Sequence, residues 1–554
     1  MRLIHTAPLL PYLATTAAFD CSPAAFRSVL PNNASVEFAY SIGQNGTFNV
    51  PSGDVAYPTS PTQLPQLCAV QLCVTSSPSS AFCFGLYLPQ DWNERFLAVG
   101  NGGFAGGVNW LDMAAGAHYG FASISTDTGH NSTSGDITWA LNNPEKTIDW
   151  GYRAMHGSVE LAKQVVELYY GCKLKYSYYS GCSTGGRQGI RDIQLYPDDF
   201  HGVLAGAPAW WTSHLQTWTV KLGLYNLPVD APHHIPISLF PAVGAEVLKQ
   251  CDPQDGLVDS IISDPSGCDF YAEAVLCGAN VTNQTAAGCL TAAQIGTLYS
   301  IYNDYVDTNQ TFVFPHLELG SEAQWAVLLG GNTPNSLGTE YVQNMVLNDT
   351  TWSPFDFEYP IVELADKIQP GNATAYDYDL SPFQQRGGKL LQYHGLSDAL
   401  IATGSSTFFY KEVLKTLVPK GIELDSWYRL FLVPGMQHCA GTPSDVNAPW
   451  YFAGANQAGE LGTSPGSVYS VPGFQDAKHD ALLALMTWVE EGIAPDQIVA
   501  TKWENDVLAD KVLRQRPLCP FPKQARFGGR GDPNVAENWS CWNQWDAAMT
   551  SQWN

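Results

Sequence analysis

Charge is scarce in this chain, and positive charge most of all. Only 14% of its 554 residues are charged, and 27 basic side chains stand against 52 acidic ones, a formal net charge of −25. No run of Lys or Arg occurs anywhere. A nucleic-acid partner is therefore excluded, because phosphate binding needs a basic surface. No apolar stretch approaches the roughly 18 residues of a membrane span, so no membrane partner is expected. There is no CxxC pair and no His-rich tract, hence no zinc pattern. No internal repeat or long low-complexity tract is present either. What remains is 45% hydrophobic and 12% aromatic, the composition of a chain with a large core rather than a disordered one. At about 150 residues per domain the length allows three or four domains, or one fold carrying a large insertion.

The start of the chain reads as a secretory signal over residues 1–18. Arg2 supplies the charge, Leu9, Leu10, Tyr12 and Leu13 the apolar stretch, and Thr16-Ala17-Ala18 the small-residue cleavage site. Pro8 and Pro11 make that pattern imperfect. Thirteen cysteines and nine Asn-X-Ser/Thr sequons, at Asn33, Asn45, Asn131, Asn280, Asn283, Asn309, Asn348, Asn372 and Asn538, point the same way. Neither feature is useful in a reducing cytosol. A secreted, extracellular glycoprotein is the expectation. Proximity suggests the pairs Cys251–Cys268, Cys277–Cys289 and Cys519–Cys541, and an odd count leaves one thiol over.

Patterning along the chain predicts an α/β architecture. Leu67 to Val74 and Ala81 to Leu88 are β-rich and flank a Ser/Pro turn, the mark of a hairpin. Apolar residues spaced by three and four from Ile148 to Tyr169 predict one helix over 147–170, stopped by Gly171. An aromatic strand, Tyr176-Ser-Tyr-Tyr-Ser, follows it. The alternation dissolves between about Pro208 and Gln385, which holds four cysteines and five of the nine sequons, and returns at Lys389 and Trp427. A closing helix is expected from about Ala477 to Glu491. The expected division is a catalytic domain over 19–207 and 386–554, with residues 208–385 inserted as a lid domain.

Two segments match the G-x-S-x-G pattern of a nucleophile elbow. Gly462-Thr-Ser-Pro-Gly466 has no strand before it, and Pro465 lacks the N–H that should follow a nucleophile. Gly181-Cys-Ser-Thr-Gly185 lies between a strand and a helix, which makes Ser183 the candidate nucleophile. In an α/β-hydrolase fold the acid and then the base follow later in the chain. Asp398 and His438 each sit just past a late strand, where such sites lie. His394 and His479 compete for the base, and Asp445 and Asp476 for the acid. Cys182 precedes the serine and Cys439 follows the histidine. A hydrogen-bonded Ser–His pair would bring these two cysteines within the Cα separation of a disulfide.

Together, Gly100-Asn-Gly-Gly, Gly181-Cys-Ser-Thr-Gly-Gly-Arg-Gln-Gly189, Gly387-Gly-Lys-Leu-Leu-Gln-Tyr-His-Gly and Gly435-Met-Gln-His-Cys resemble the tannase and feruloyl esterase family. Its fungal subtype-B feruloyl esterases are the most similar. The resemblance implies an α/β-hydrolase fold with a large inserted lid, the triad Ser183, Asp398 and His438, and the bridge Cys182–Cys439. It places the oxyanion hole at the N–H of Thr184 with one from Gly102 or Gly103, and pairs Cys21 with Cys68. It also implies a structural Ca²⁺ in the lid, held by Asp252, Asp255, Asp259 and the carbonyls of Leu257 and Ile261. The dense carboxylates suit that hard cation, although the spacing is not that of an EF-hand. No organic cofactor is implied. The pairing of Cys73, Cys83 and Cys172 stays open; a link across their own hairpin would join the first two and leave Cys172 over.

The implied activity is hydrolysis of hydroxycinnamoyl esters, such as feruloyl groups on plant cell-wall polysaccharide. A tannase acting on galloyl esters and a non-catalytic calcium-stabilised binding protein are the alternatives. Trp210, Trp211, Trp218, Trp325, Tyr302 and Tyr305 offer aromatic faces for a planar acyl group, or else form lid core.

Overall fold

The computed structural model describes residues 19–457, 470–506 and 511–543. The expected signal segment 1–18 and the motif Gly462–Gly466 lie outside these. The main sheet begins with β1 (Ala34–Ile42), β2 (Leu67–Ser77), β3 (Ser80–Pro89), β4 (Arg95–Val99), β5 (Ala122–Thr126), β6 (Tyr176–Cys182) and β7 (Gly202–Gly206). The insertion contributes a small antiparallel pair, β8 (Tyr305–Val306) and β9 (Phe312–Phe314). The main sheet then resumes with β10 (Lys389–Gly395) and β11 (Tyr428–Val433), giving the order β1-β2-β3-β5-β4-β6-β7-β10-β11. Strands from β5 to β11 run parallel, while β1, β2 and β3 are antiparallel. This is an α/β-hydrolase fold. β5 and β7 are buried along their whole length, as parallel strands covered on both faces must be.

The helix expected over 147–170 is interrupted. Pro144–Ile148 passes into a wider turn of π-helical type over Asp149–Arg153 before the helix Ala154–Tyr170 begins. The reason lies across the structure: a Cβ on Gly151 would sit 2.0 Å from the carbonyl oxygen of Gly371. The insertion presses on the backbone there, and apolar spacing carries no trace of it. Gly171 ends the helix in the left-handed region, at φ 68°.

The insertion is largely helical, contrary to its patternless sequence. Its helices include Thr212–Tyr225, Phe240–Cys251, Ala292–Ile301 and Pro360–Ile368. They are short and punctuated by proline, so the 3.6-residue period never runs long enough to stand out. Their core gathers Trp218, Leu298, Phe314 and Trp325 and takes in Phe104 and Trp150 from the sheet domain. After it come the helix Ala481–Glu491, capped by the Asp480 side chain, and the pairs β12 (Ile498–Trp503) with β13 (Val512–Leu518) and β14 (Lys523–Phe527) with β15 (Trp539–Asn543). The helix starts later than expected because Asp480 satisfies the N–H groups of Leu482 and Leu483.

Six disulfides join Cys21–Cys68, Cys73–Cys83, Cys182–Cys439, Cys251–Cys268, Cys277–Cys289 and Cys519–Cys541. Cys172 is free and exposed. Among the described residues, no helix is long and apolar enough to cross a membrane.

Candidate active site

The sharp turn after β6 sets Ser183 apart. Its backbone sits at φ 62°, ψ −125°, a region that costs a residue with a side chain about 1–3 kcal/mol. Hydrogen bonds hold it there: its N–H donates to Gly206 at 2.9 Å, and its carbonyl accepts from Arg187 at 3.1 Å and Ala209 at 3.0 Å. Two glycines make the turn possible. A Cβ on Gly181 would lie 2.8 Å from the Gly185 carbonyl carbon, and one on Gly185 would lie 3.2 Å from the Asn101 oxygen. The serine thus sits between β6 and the helix Thr184–Leu195, at the carboxyl edge of the sheet.

Asp398 and His438 follow the neighbouring strands β10 and β11, which pair in parallel. Their loops therefore emerge side by side. His438 Nδ1 lies 2.7 Å from Asp398 Oδ2. The other carboxylate oxygen accepts the N–H groups of Leu400 at 2.8 Å and Ile401 at 3.0 Å. Asp398 is fully buried. Burial alone would raise its pKa, but the charge and hydrogen bond of His438 and those of His394 outweigh it and hold the carboxyl below the usual carboxylate range. The Cys182–Cys439 bridge, with Cα atoms 5.9 Å apart, draws the residue after His438 to the residue before Ser183.

The competing residues have other partners. His479 Nδ1 pairs with Asp476 at 2.8 Å, and Asp445 is exposed in a turn. His394 does not act alone in the core: its Nε2 lies 3.1 Å from Asp398 Oδ2 and its Nδ1 2.7 Å from Ser406 Oγ. Its position within a strand gave no sign of this link. Sequence reading also missed Gln324, whose Oε1 accepts the N–H groups of both Ala399 and His438 at 3.2 Å. A glutamine in the patternless insertion carries no local signal of such a role.

Thr184 opens its helix, where N–H groups have no helical acceptor. Gly102 departs from expectation. Its N–H donates to the Tyr57 hydroxyl at 2.8 Å, so in this arrangement it is not open to a substrate oxygen. Gly103 is then the candidate of the pair. Asp54 anchors the loop by accepting the N–H of Tyr57 at 3.0 Å and of Val108 at 3.2 Å.

In the expected calcium loop, Asp252 accepts from the N–H groups of Asp259 and Ser260, and Asp255 from Leu257 N–H and Ser263 Oγ. Asp259 accepts from Ile261 N–H and meets the Arg516 guanidinium. The candidate metal-ligand atoms are all oxygen, and burial raises the Asp255 carboxyl against the pull of its hydrogen bonds. Of the three carboxylates, Asp259 pairs with Arg516 and lies 3.9 Å from Arg514. That leaves surplus negative charge, which fits a hard divalent cation. The carboxylates are not gathered on one point. Among the described residues, the group whose ligand atoms lie within 4.8 Å of one another is instead His156, Asp192 and Asp199.

Most of the insertion aromatics are core. Trp210, Trp218 and Trp325 are fully buried and Tyr305 nearly so, and the Tyr302 hydroxyl donates to Glu322. Trp211 alone of the six is a partly buried side chain with no such bond, stacked on His214 at 3.9 Å.

Comparison with known proteins bears on the family and the fold. The sequence family described as tannase and feruloyl esterase matches residues 68–542. The probable feruloyl esterase B-1 of Aspergillus oryzae is 36% identical over 86% of this chain and 83% of its own length. A probable feruloyl esterase B-2 of Aspergillus terreus is 33% identical over 96% of each. The crystal structure of feruloyl esterase B from Aspergillus oryzae superposes with a TM-score of 0.86 at 32% identity, over 95% of this chain and all of that one. The tannin acyl hydrolase of Aspergillus niger shares the fold, with a TM-score of 0.73 at 22% identity, over 97% of this chain and 98% of that one.

Proposed function

The chain belongs to the tannase and feruloyl esterase family and is a carboxylic ester hydrolase; from that premise we propose that it releases hydroxycinnamoyl groups, such as ferulate, from plant cell-wall polysaccharide outside the cell. Ser183 Oγ attacks the ester carbonyl while His438 Nε2 takes its proton. Asp398, bonded to Nδ1, holds the imidazole in the tautomer that leaves Nε2 free and stabilises its charged form. The N–H groups of Thr184 and Gly103 receive the oxyanion. The protonated histidine then gives its proton to the departing sugar alcohol, and water releases the acyl group by the same route in reverse. The observation that carries the reading is the His438–Asp398 contact bridged by Cys182–Cys439 to the strained serine.

Extracellular action is supported by six disulfides and by the exposure of eight of the nine sequon asparagines, Asn538 being half-buried. A structural Ca²⁺ would be held by Asp252, Asp255 and Asp259 with the carbonyls of Leu257 and Ile261. Bound there, it would neutralise the surplus charge of the loop and stiffen the insertion, with no part in ester cleavage.

Ferulate is the preferred acyl group in this reading, because gallate's three hydroxyls need paired polar partners, and a site without them rejects it sharply. The test is kcat/KM for methyl ferulate, methyl caffeate and methyl gallate on the purified enzyme, with Ser183→Ala as control. Ferulate or caffeate above gallate is expected, with loss of all three in the variant. Preference for gallate would promote the tannase reading, and activity surviving in Ser183→Ala would sink the serine mechanism.

A further inference from the structure

Beside the acid lies a second histidine that the ester-cleaving steps leave unused. His394 is fully buried in β10, and its Nε2 lies 3.1 Å from Asp398 Oδ2, the same oxygen that holds His438 Nδ1 at 2.7 Å. The direction of its hydrogen bonds follows from the far end of a buried chain. Tyr428, on β11, is fully buried, and its hydroxyl donates to Gln392 Oε1 at 2.5 Å. Burial holds that phenol far above its ordinary titration range, so it stays a donor. With Oε1 turned to Tyr428, the Gln392 amide nitrogen faces Ser406 and donates to its Oγ at 2.7 Å. The Ser406 hydroxyl then gives its own proton to His394 Nδ1, also at 2.7 Å. Nδ1 accepts, so the uncharged ring carries its proton on Nε2. That N–H is shared between Asp398 Oδ2 and, at 3.0 Å, the Ile401 carbonyl. A carboxylate and a carbonyl can only accept.

We propose that His394 is a positioning residue for ester cleavage: an uncharged second donor that holds the Asp398 carboxylate and aims it at His438. The inference rests on the triad reading. An uncharged donor suits this place for a physical reason. It stabilises the carboxylate without setting a second positive charge beside the imidazolium that forms at His438 when Ser183 gives up its proton. Removing it leaves the carboxylate charge less compensated, and such a carboxylate binds the His438 proton more tightly. The base then needs a higher pH to be free. The other ionisable groups packed around this point are engaged with one another. From the insertion, Glu322 accepts from the Tyr302 hydroxyl and the Gly320 N–H. His316 pairs with Asp304 at 2.6 Å, with Glu318 4.0 Å away. On the helix Gly404–Leu417, Tyr410 packs on the Tyr428 ring at 5.0 Å, and Ser406 does not ionise.

The experiment is a pH profile of para-nitrophenyl acetate hydrolysis by the full-length enzyme, a substrate that needs the triad whatever acyl group the enzyme prefers. His394→Leu, which removes the donor, should lower kcat by about tenfold or more and leave KM within about twofold. It should also move the acid limb of kcat/KM up by about half a pH unit or more. His394→Gln, whose amide can accept from Ser406 and donate to Asp398, should bring back most of kcat and return the limb to its wild-type position. A histidine that merely packs would leave the limb where it is. Loss of activity with an unmoved limb, or a glutamine variant no better than leucine, would therefore overturn the proposal. Nuclear magnetic resonance of isotope-labelled histidine nitrogens in the wild-type protein needs no stable leucine variant. The His394 ring, identified by its loss in His394→Gln, should be protonated at Nε2 alone near neutral pH, and a proton on Nδ1 would overturn the role. Asp398→Asn should abolish hydrolysis. A fully active Asp398→Asn would remove the triad reading and this role with it, whereas an inactive one beside an unaffected His394→Leu would remove this role alone.

Discussion

The Oε1 of Gln324 accepts the backbone N–H of His438 at 3.2 Å, and that of Ala399, next to Asp398, at the same distance. One side chain from the insertion thus ties together the two loops that carry acid and base. The His438 loop is also held by the disulfide at Cys439, by the Asp398 contact, by Gln457 Nε2 donating to the Cys439 carbonyl at 3.0 Å and by Ser397 N–H donating to the Met436 carbonyl at 2.9 Å.

Gln324→Ala should therefore lower kcat by about tenfold, or about 1.4 kcal/mol, on the scale of the two backbone hydrogen bonds it removes, while leaving KM for a small ester little changed. Gln324→Glu, which keeps the accepting oxygen, should recover part of the loss. Steady-state kinetics on methyl ferulate with the three proteins would decide; a pure KM effect would make Gln324 a wall of the substrate site.

The Cys182–Cys439 bridge closes a span of 257 residues. Replacing both cysteines by serine should cost about 2–5 kcal/mol of stability and should depress activity as well, since base and nucleophile lose their covalent register. Calorimetry and kinetics on the double variant measure both, and peptide mapping that finds the two thiols free in the native protein would defeat the premise.

Asp127 offers a pH test. Burial, together with the nearby charges of Asp149 and Asp54, outweighs its bonds from Gly129 and Cys83 and pushes its carboxyl up to about 7. The folded state therefore holds a proton that the unfolded chain releases near pH 4. Stability from this group is fully present below that unfolded value, falls as pH rises, and levels off above about 7. Asp127→Asn keeps the acceptor oxygen for Gly129 and Cys83, so its gain in melting temperature over the wild type should be larger at pH 8 than at pH 5. An equal difference at both pH values would show that Asp127 titrates normally.

Calcium, if it occupies the Asp252–Ile261 loop, stabilises by mass action, about 2.7 kcal/mol at a hundredfold excess over Kd. A chelator should lower the melting temperature, and Asp252→Asn should abolish that chelator effect while the folded variant retains its ester hydrolysis. Metal analysis of the untreated protein showing no calcium, with an unchanged melting temperature, would refute the site.

What the sequence determined by itself was everything written in adjacent residues. The serine turn was legible because Gly181 and Gly185 meet backbone at 2.8 and 3.2 Å, and only glycine allows that approach. The cysteines beside Ser183 and His438 announced which distant loops should meet. Strand β6 showed as an aromatic segment, and β11 as the apolar run Leu430 to Val433, because parallel strands are buried on both faces. Tertiary structure alone decided the rest. Tyr57 reaches Gly102 across 45 residues and Gln324 reaches His438 across 114, and neither residue type nor spacing marks such a partner in advance. The break at Asp149–Arg153 comes from Gly371, and the Ser406–His394 bond forms only where the helix Gly404–Leu417 meets β10. Local backbone geometry is encoded locally, whereas contacts between packed elements depend on the shape of all of them together.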